Sequence, residues 1–150
     1  MSTEELKKTV FNGFLKIQEM EGVPPYTKHR MFQNLMGMNK DSWIVIGITE
    51  AALEKFKAND YKRPKGVNRS HIFQRSETSQ KMFEKTDWDI ENWWNFYVER
   101  DECVLATSSE NMDKEPDIIK YEVPRGLFKT RGFAFIVSNA EKEFLKGLDG

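Results

Sequence analysis

Trp43-Ile44-Val45-Ile46-Gly47-Ile48-Thr49-Glu50-Ala51-Ala52-Leu53-Glu54-Lys55-Phe56 is the stretch that decides the fold class. Its first six residues are apolar and rich in β-branched side chains, which suits a buried strand. At Thr49 the pattern changes. The hydroxyl can cap a helix, and Ala52, Leu53 and Phe56 then fall on one helical side. A buried strand running straight into a capped helix means that sheet and helix share one chain.

Toward the N-terminus, Ser2 and Glu5 have capping-box spacing. Leu6, Val10, Phe14 and Ile17 recur at helical intervals, and Phe11, Leu15 and Met20 widen the stripe. Gly22 and Pro24-Pro25 end that helix. A shorter helix is expected over residues 27–35, with Met31, Phe32 and Leu35 inward. Gly37 and a polar run follow it.

Downstream, residues 60–66 read as a basic loop, 67–73 as a strand and 76–84 as a short helix. Asp89 caps the next helix, which carries Ile90, Trp93, Trp94 and Tyr97 at i, i+3, i+4 and i+7. Residues 102–107, 118–123 and 133–137 read as strands, with a loop over 124–132. Ser138 or Asn139 caps a final helix bearing Phe144, Leu145 and Leu148. This irregular order predicts an α+β fold. The expected form is a single mixed domain over residues 1–150, with a small, mainly antiparallel sheet and about six helices.

The chain has 150 residues, 39% of them apolar and 13% aromatic, enough for a sizeable core. Cys103 is the only cysteine, which excludes an intrachain disulfide and a Cys-rich zinc site. No run approaches the ~20 apolar residues that cross a bilayer, and the N-terminus has no apolar signal core. A cytoplasmic protein with no membrane association is expected. The net charge of −1 provides no global attraction for nucleic acid. Such a partner requires a local patch, and Lys62, Arg63, Lys65, Arg69 and Arg75 provide one.

His71 is one of two histidines and lies in Val67-Asn68-Arg69-Ser70-His71-Ile72-Phe73. An imidazole titrates near neutrality and suits a general base. Hydrolysis of a phosphodiester needs an activated water and neutralisation of the leaving oxygen. A divalent metal, magnesium by preference, can do the second job with one or two protein oxygens. Asn111, with Glu110 beside it, follows the 102–107 strand and can supply such oxygens.

Asn68-Arg69-Ser70-His71-Ile72 resembles the Asp-Arg-Gly-His strand of the ββα-metal (HNH-like) nucleases. Asn68 stands in place of the acid and Ser70 in place of the glycine. The resemblance covers this strand and one downstream asparagine. It implies a metal-dependent nuclease with His71 as base, Arg69 as the motif arginine and Asn111 as a metal ligand. The interval between His71 and Asn111 holds about two helices, where the compact motif uses a loop.

In an extended segment, residues 69, 71, 73 and 75 share one face. Arg69 and Arg75 would then flank the imidazole, and Phe73 would be placed to stack on a base. Each residue also has a simpler reading: His71 as a packed strand residue, Asn111 as a turn former, and the arginines as partners of acids such as Glu77. The tryptophans at 88, 93 and 94 read first as core. The adjacency of Trp93 and Trp94 leaves one for a rim. His29 reads as a polar surface residue. The alternative to a nuclease is a non-enzymatic regulator. It would bind DNA, RNA or protein through the basic 62–75 segment and the aromatic helix 88–97.

Overall fold

The computed structural model describes residues 1–148. In chain order the elements are α1 (Thr3–Glu19), α2 (Pro25–Met36), β1 (Ile44–Thr49), α3 (Glu50–Ala58), β2 (Val67–His71), α4 (Arg75–Glu84), α5 (Ile90–Arg100), β3 (Glu102–Thr107), β4 (Ile119–Glu122), β5 (Thr130–Arg131), β6 (Ala134–Phe135) and α6 (Asn139–Gly147). A single 3-10 turn, Pro116–Ile118, precedes β4. The fold is α+β, as the irregular order of elements predicts. The described residues separate into two compact units, 1–42 with 74–100 and 43–73 with 101–148.

The first unit is helical. Ser2 and Glu5 form the reciprocal capping box of α1, with both bonds at 3.1 Å. Val10, Phe14 and Ile17 are buried as their spacing requires, and Leu6 packs at the margin. α2 begins earlier than expected, at Pro25. A proline in the first turn loses no hydrogen bond, because its N–H would be an orphan there, and its fixed φ suits the helix. Phe32 and Met36 of α2, Met82 of α4, and Trp93, Trp94 and Tyr97 of α5 complete the core. Both adjacent tryptophans are buried, so neither is left for a rim. The second tryptophan is accommodated under Lys7, whose ammonium lies 5.6 Å from its ring centroid.

The second unit holds a four-stranded sheet of order β2-β3-β1-β4. β1 and β3 are parallel, whereas β2–β3 and β1–β4 are antiparallel. Two apolar clusters explain why β1 and β3 read as continuous apolar runs rather than alternating ones. Val45, Ile48, Val67 and Leu105 pack with Leu53 and Phe56 of α3, Phe128 and Leu145. Val104 and Ala106 pack with Met112 and, at the margin, Ile46, Ile72 and Ile119. Gly47 lets β4 approach: a Cβ there would lie 2.8 Å from Ile119 Cγ2.

Some boundaries differ from the sequence reading. Trp43 lies outside β1, in a left-handed conformation with φ 58. β2 ends at His71, so the chain leaves the extended form before Phe73. The expected strand at 133–137 is instead the β5–β6 hairpin, whose first strand lies inside the expected 124–132 loop. α6 is anchored by Glu141, which accepts from Ser138 N at 2.8 Å and from Phe128 N at 3.2 Å. Burial pushes this carboxyl up, but the bonds from Ser138 and Phe128 prevail and hold it below its ordinary range. No described helix is long and apolar enough to cross a membrane.

Candidate functional site

β2 is an edge strand, and its alternation sends Val67, Arg69 and His71 to one face. His71 and Asp101 form a pair there, with Nε2 and Oδ1 at 2.7 Å and both side chains nearly buried. The other carboxylate oxygen of Asp101 accepts the Trp43 backbone N–H at 2.8 Å. The Trp43 ring stands edge-on to His71, with centroids 4.4 Å apart. Because a carboxylate only accepts, Nε2 carries the proton toward Asp101, and Nδ1 is the nitrogen left for any proton transfer.

Arg69 is absorbed into the same cluster. Its guanidinium lies 4.9 Å from the Trp43 ring centroid. It donates to Thr130 Oγ1 at 2.7 Å and to the Ala134 carbonyl at 3.1 Å. Arg69 therefore ties the β5–β6 hairpin to the sheet.

Asn111 and Glu110 do not join His71. His71 is opposite Cys103, and Val67 is opposite Thr107. Four residues of strand, about 13 Å, thus separate His71 from the end of β3 that leads to Asn111. Glu110 Oε1 accepts from Thr49 Oγ1 at 2.8 Å, Thr107 N at 2.8 Å and Thr107 Oγ1 at 3.1 Å. It ties the ends of the two parallel strands together. The exposed Asn111 is in a turn and accepts backbone bonds from Lys114 and Glu115 through its carbonyl. After β3 the chain enters this turn, the 3-10 segment and β4, not a helix. Among the described residues, no three His, Cys, Asp or Glu side chains cluster as metal ligands. Asp101, whose two carboxylate oxygens meet His71 Nε2 and Trp43 N, is the acidic side chain placed at His71, and Glu110 and Asn111 are not.

The basic segment separates into two parts. Arg75 opens α4 in the helical unit and donates to Gln33. Arg69 is occupied as described. Phe73 is 42% exposed but beyond the end of β2, and does not continue the His71 face. Lys62, Arg63 and Lys65, by contrast, are exposed on the turn between α3 and β2. No acidic side chain pairs with them among the described residues. Residues 55–69 carry six bases and one acid.

That turn is built rather than loose. Asn59 Nδ2 donates to the carbonyls of Lys62 and Arg63, each at 3.2 Å. Tyr61 N reaches the Phe56 carbonyl at 2.7 Å. Asp60 and Tyr61 both take left-handed φ values, 57 and 59, a backbone strain that surrounding bonds must hold. Pro64 is buried, and the Gly66 carbonyl accepts Ser108 N at 2.9 Å.

Two features had no clear sequence signal. Asp101 lies 30 residues from His71 and has no spacing relation to it. His29, read as a surface residue, is half-buried in the helical unit and pairs through Nδ1 with Ser79 Oγ at 2.8 Å. Burial first, then Arg75 and Arg30, pushes its imidazole below the usual range and keeps it neutral at neutral pH. A cleft of about 450 Å³ is lined there by Val23, Tyr26, His29, Ser79 and Phe83.

Comparison with protein-family models, with curated proteins and with solved structures finds no match to this chain.

Proposed function

We propose that this chain binds nucleic acid through its phosphate backbone, with Lys62, Arg63 and Lys65 as the contacts. One observation carries the reading: three exposed cations, without acidic partners among the described residues, on a turn held by Asn59, Pro64 and Gly66. A cation already satisfied by a carboxylate has little to offer a phosphate, whereas these three have only water to exchange. Holding them on a fixed backbone lowers the ordering cost of binding. A chain with net charge −1 attracts a polyanion through a local patch rather than through a global field.

Binding of a labelled duplex should weaken steeply with salt, because each neutralised phosphate releases condensed cations. Replacing Lys62, Arg63 and Lys65 together by alanine should flatten the plot of log affinity against log salt by about 2–3, if each contacts one phosphate. A fluorescence-anisotropy titration at several salt concentrations measures this. Absence of binding to any DNA or RNA at low salt, or an unchanged slope in the triple variant, defeats the reading.

Phosphodiester hydrolysis with His71 as base is a second reading, supported by the Asp101 carboxylate that orients the ring. If it holds, DNA or RNA is cleaved in magnesium or manganese, and His71→Ala lowers the rate by ~10²–10⁴-fold while circular dichroism stays native. Wild-type protein that leaves both substrates intact disposes of it.

A further inference from the structure

The most exposed large apolar side chain among those described is Phe133, whose relative exposure of 111% means that nothing covers it. It stands at the apex of the β5–β6 hairpin. Thr130 pairs with Phe135 and Arg131 with Ala134, which leaves Gly132 and Phe133 as a two-residue turn. Gly132 has φ 61, the left-handed setting that the first position of a II′ turn demands of glycine. Phe133 holds the second position, which is ordinarily polar.

The base of this hairpin is anchored. Phe135 is buried and packs on Phe128 with centroids 6.1 Å apart. Arg69 grips both strands through Thr130 and Ala134, and Ile136 N reaches the Lys129 carbonyl at 2.8 Å. One phenylalanine is therefore spent on the core while the other is projected into water. Lys129 and Arg131, both exposed, lie on the stem that leads to the turn.

We infer that Phe133 is a base-stacking residue, and that the nucleic acid this protein prefers is single-stranded. The inference rests on the nucleic-acid reading above and specifies its substrate. An aromatic ring with cations on its stem offers a π-face to a base and positive charge to the adjoining phosphates. This is the combination by which unpaired strands are held without base-edge readout. In a duplex the bases are already stacked, and a blunt hairpin tip meets only the backbone. A membrane is the poorer partner. Interfacial anchoring grows with buried apolar area and needs more than a single ring, and no other large apolar residue is exposed on this hairpin.

The test compares a labelled oligo-dT with a duplex of the same length, by anisotropy at fixed low salt. Phe133→Ala should weaken binding of the single strand about tenfold, within the range measured for base–aromatic stacking. Duplex binding should change less than about twofold. Phe133→Trp should restore single-strand binding. An oligonucleotide carrying 2-aminopurine should show its fluorescence quenched by wild type and not by Phe133→Ala. Because the side chain touches nothing that holds the fold, the alanine variant should keep its native circular dichroism. Equal losses on both nucleic acids, or none on either, overturn the inference and leave the backbone-binding reading standing. Absence of nucleic-acid binding by wild type overturns both. Phe133-dependent binding to phosphatidylserine vesicles, or Phe133-dependent self-association in sedimentation, without oligonucleotide quenching assigns the tip to a lipid surface or a second copy.

Discussion

Asp101→Ala is expected to lower the stability of the protein by about 3 kcal/mol, as removal of one member of a buried pair does. Asp101 is 4% exposed and serves two donors, His71 Nε2 at 2.7 Å and Trp43 N at 2.8 Å. Alanine leaves both donors buried without an acceptor, so the cost is mainly their lost solvation. The left-handed residue Trp43 loses the bond that holds its backbone, and its ring loses its setting against His71 and Arg69. Urea unfolding followed by tryptophan fluorescence measures the loss. A double-mutant cycle with His71→Ala isolates the pair, and the two losses should fall well short of adding. A destabilisation of Asp101→Ala below about 0.5 kcal/mol would show that the pair contributes nothing.

The second large effect is expected in the helical unit. Trp93→Ala should cost about 4 kcal/mol. Trp93 is fully buried, and its ring meets those of Phe11 at 5.1 Å, Phe14 at 5.4 Å and Phe32 at 6.0 Å. Two other helices, α1 and α2, converge on it, so the void left by the indole cannot close by moving one of them. Trp93→Phe should behave differently. Among the described residues the indole N–H meets no acceptor, a standing cost that phenylalanine removes. The lost ring volume and the relieved donor then oppose each other, and the net loss should be about 1 kcal/mol or less. Thermal unfolding of both variants checks the contrast. Equal losses would mean that the indole N–H is satisfied in solution.

Hydrophobic spacing by itself determined the helices. Leu6, Val10, Phe14 and Ile17 on α1, and Trp93 and Tyr97 on α5, had to be covered because each stripe is too apolar for water. The same argument made β1 and β3 buried strands and the fold α+β. The capping residues Ser2, Thr49 and Asp89 announced helix starts because their hydrogen bonds reach only three residues along the chain. The exposed cations at 62, 63 and 65 were also legible, since charge density is a property of composition. What the tertiary structure alone decided was every relation across the sheet. It placed Asp101 on His71, gave Arg69 to the hairpin, turned Arg75 into the helical unit and kept Asn111 at the far end of β3. It also left Phe133 in water while Phe135, two residues on, entered the core. Local spacing cannot carry such information. Strand order and register are set by how the apolar faces pack, and a shift of one residue in register sends every side chain to the opposite face.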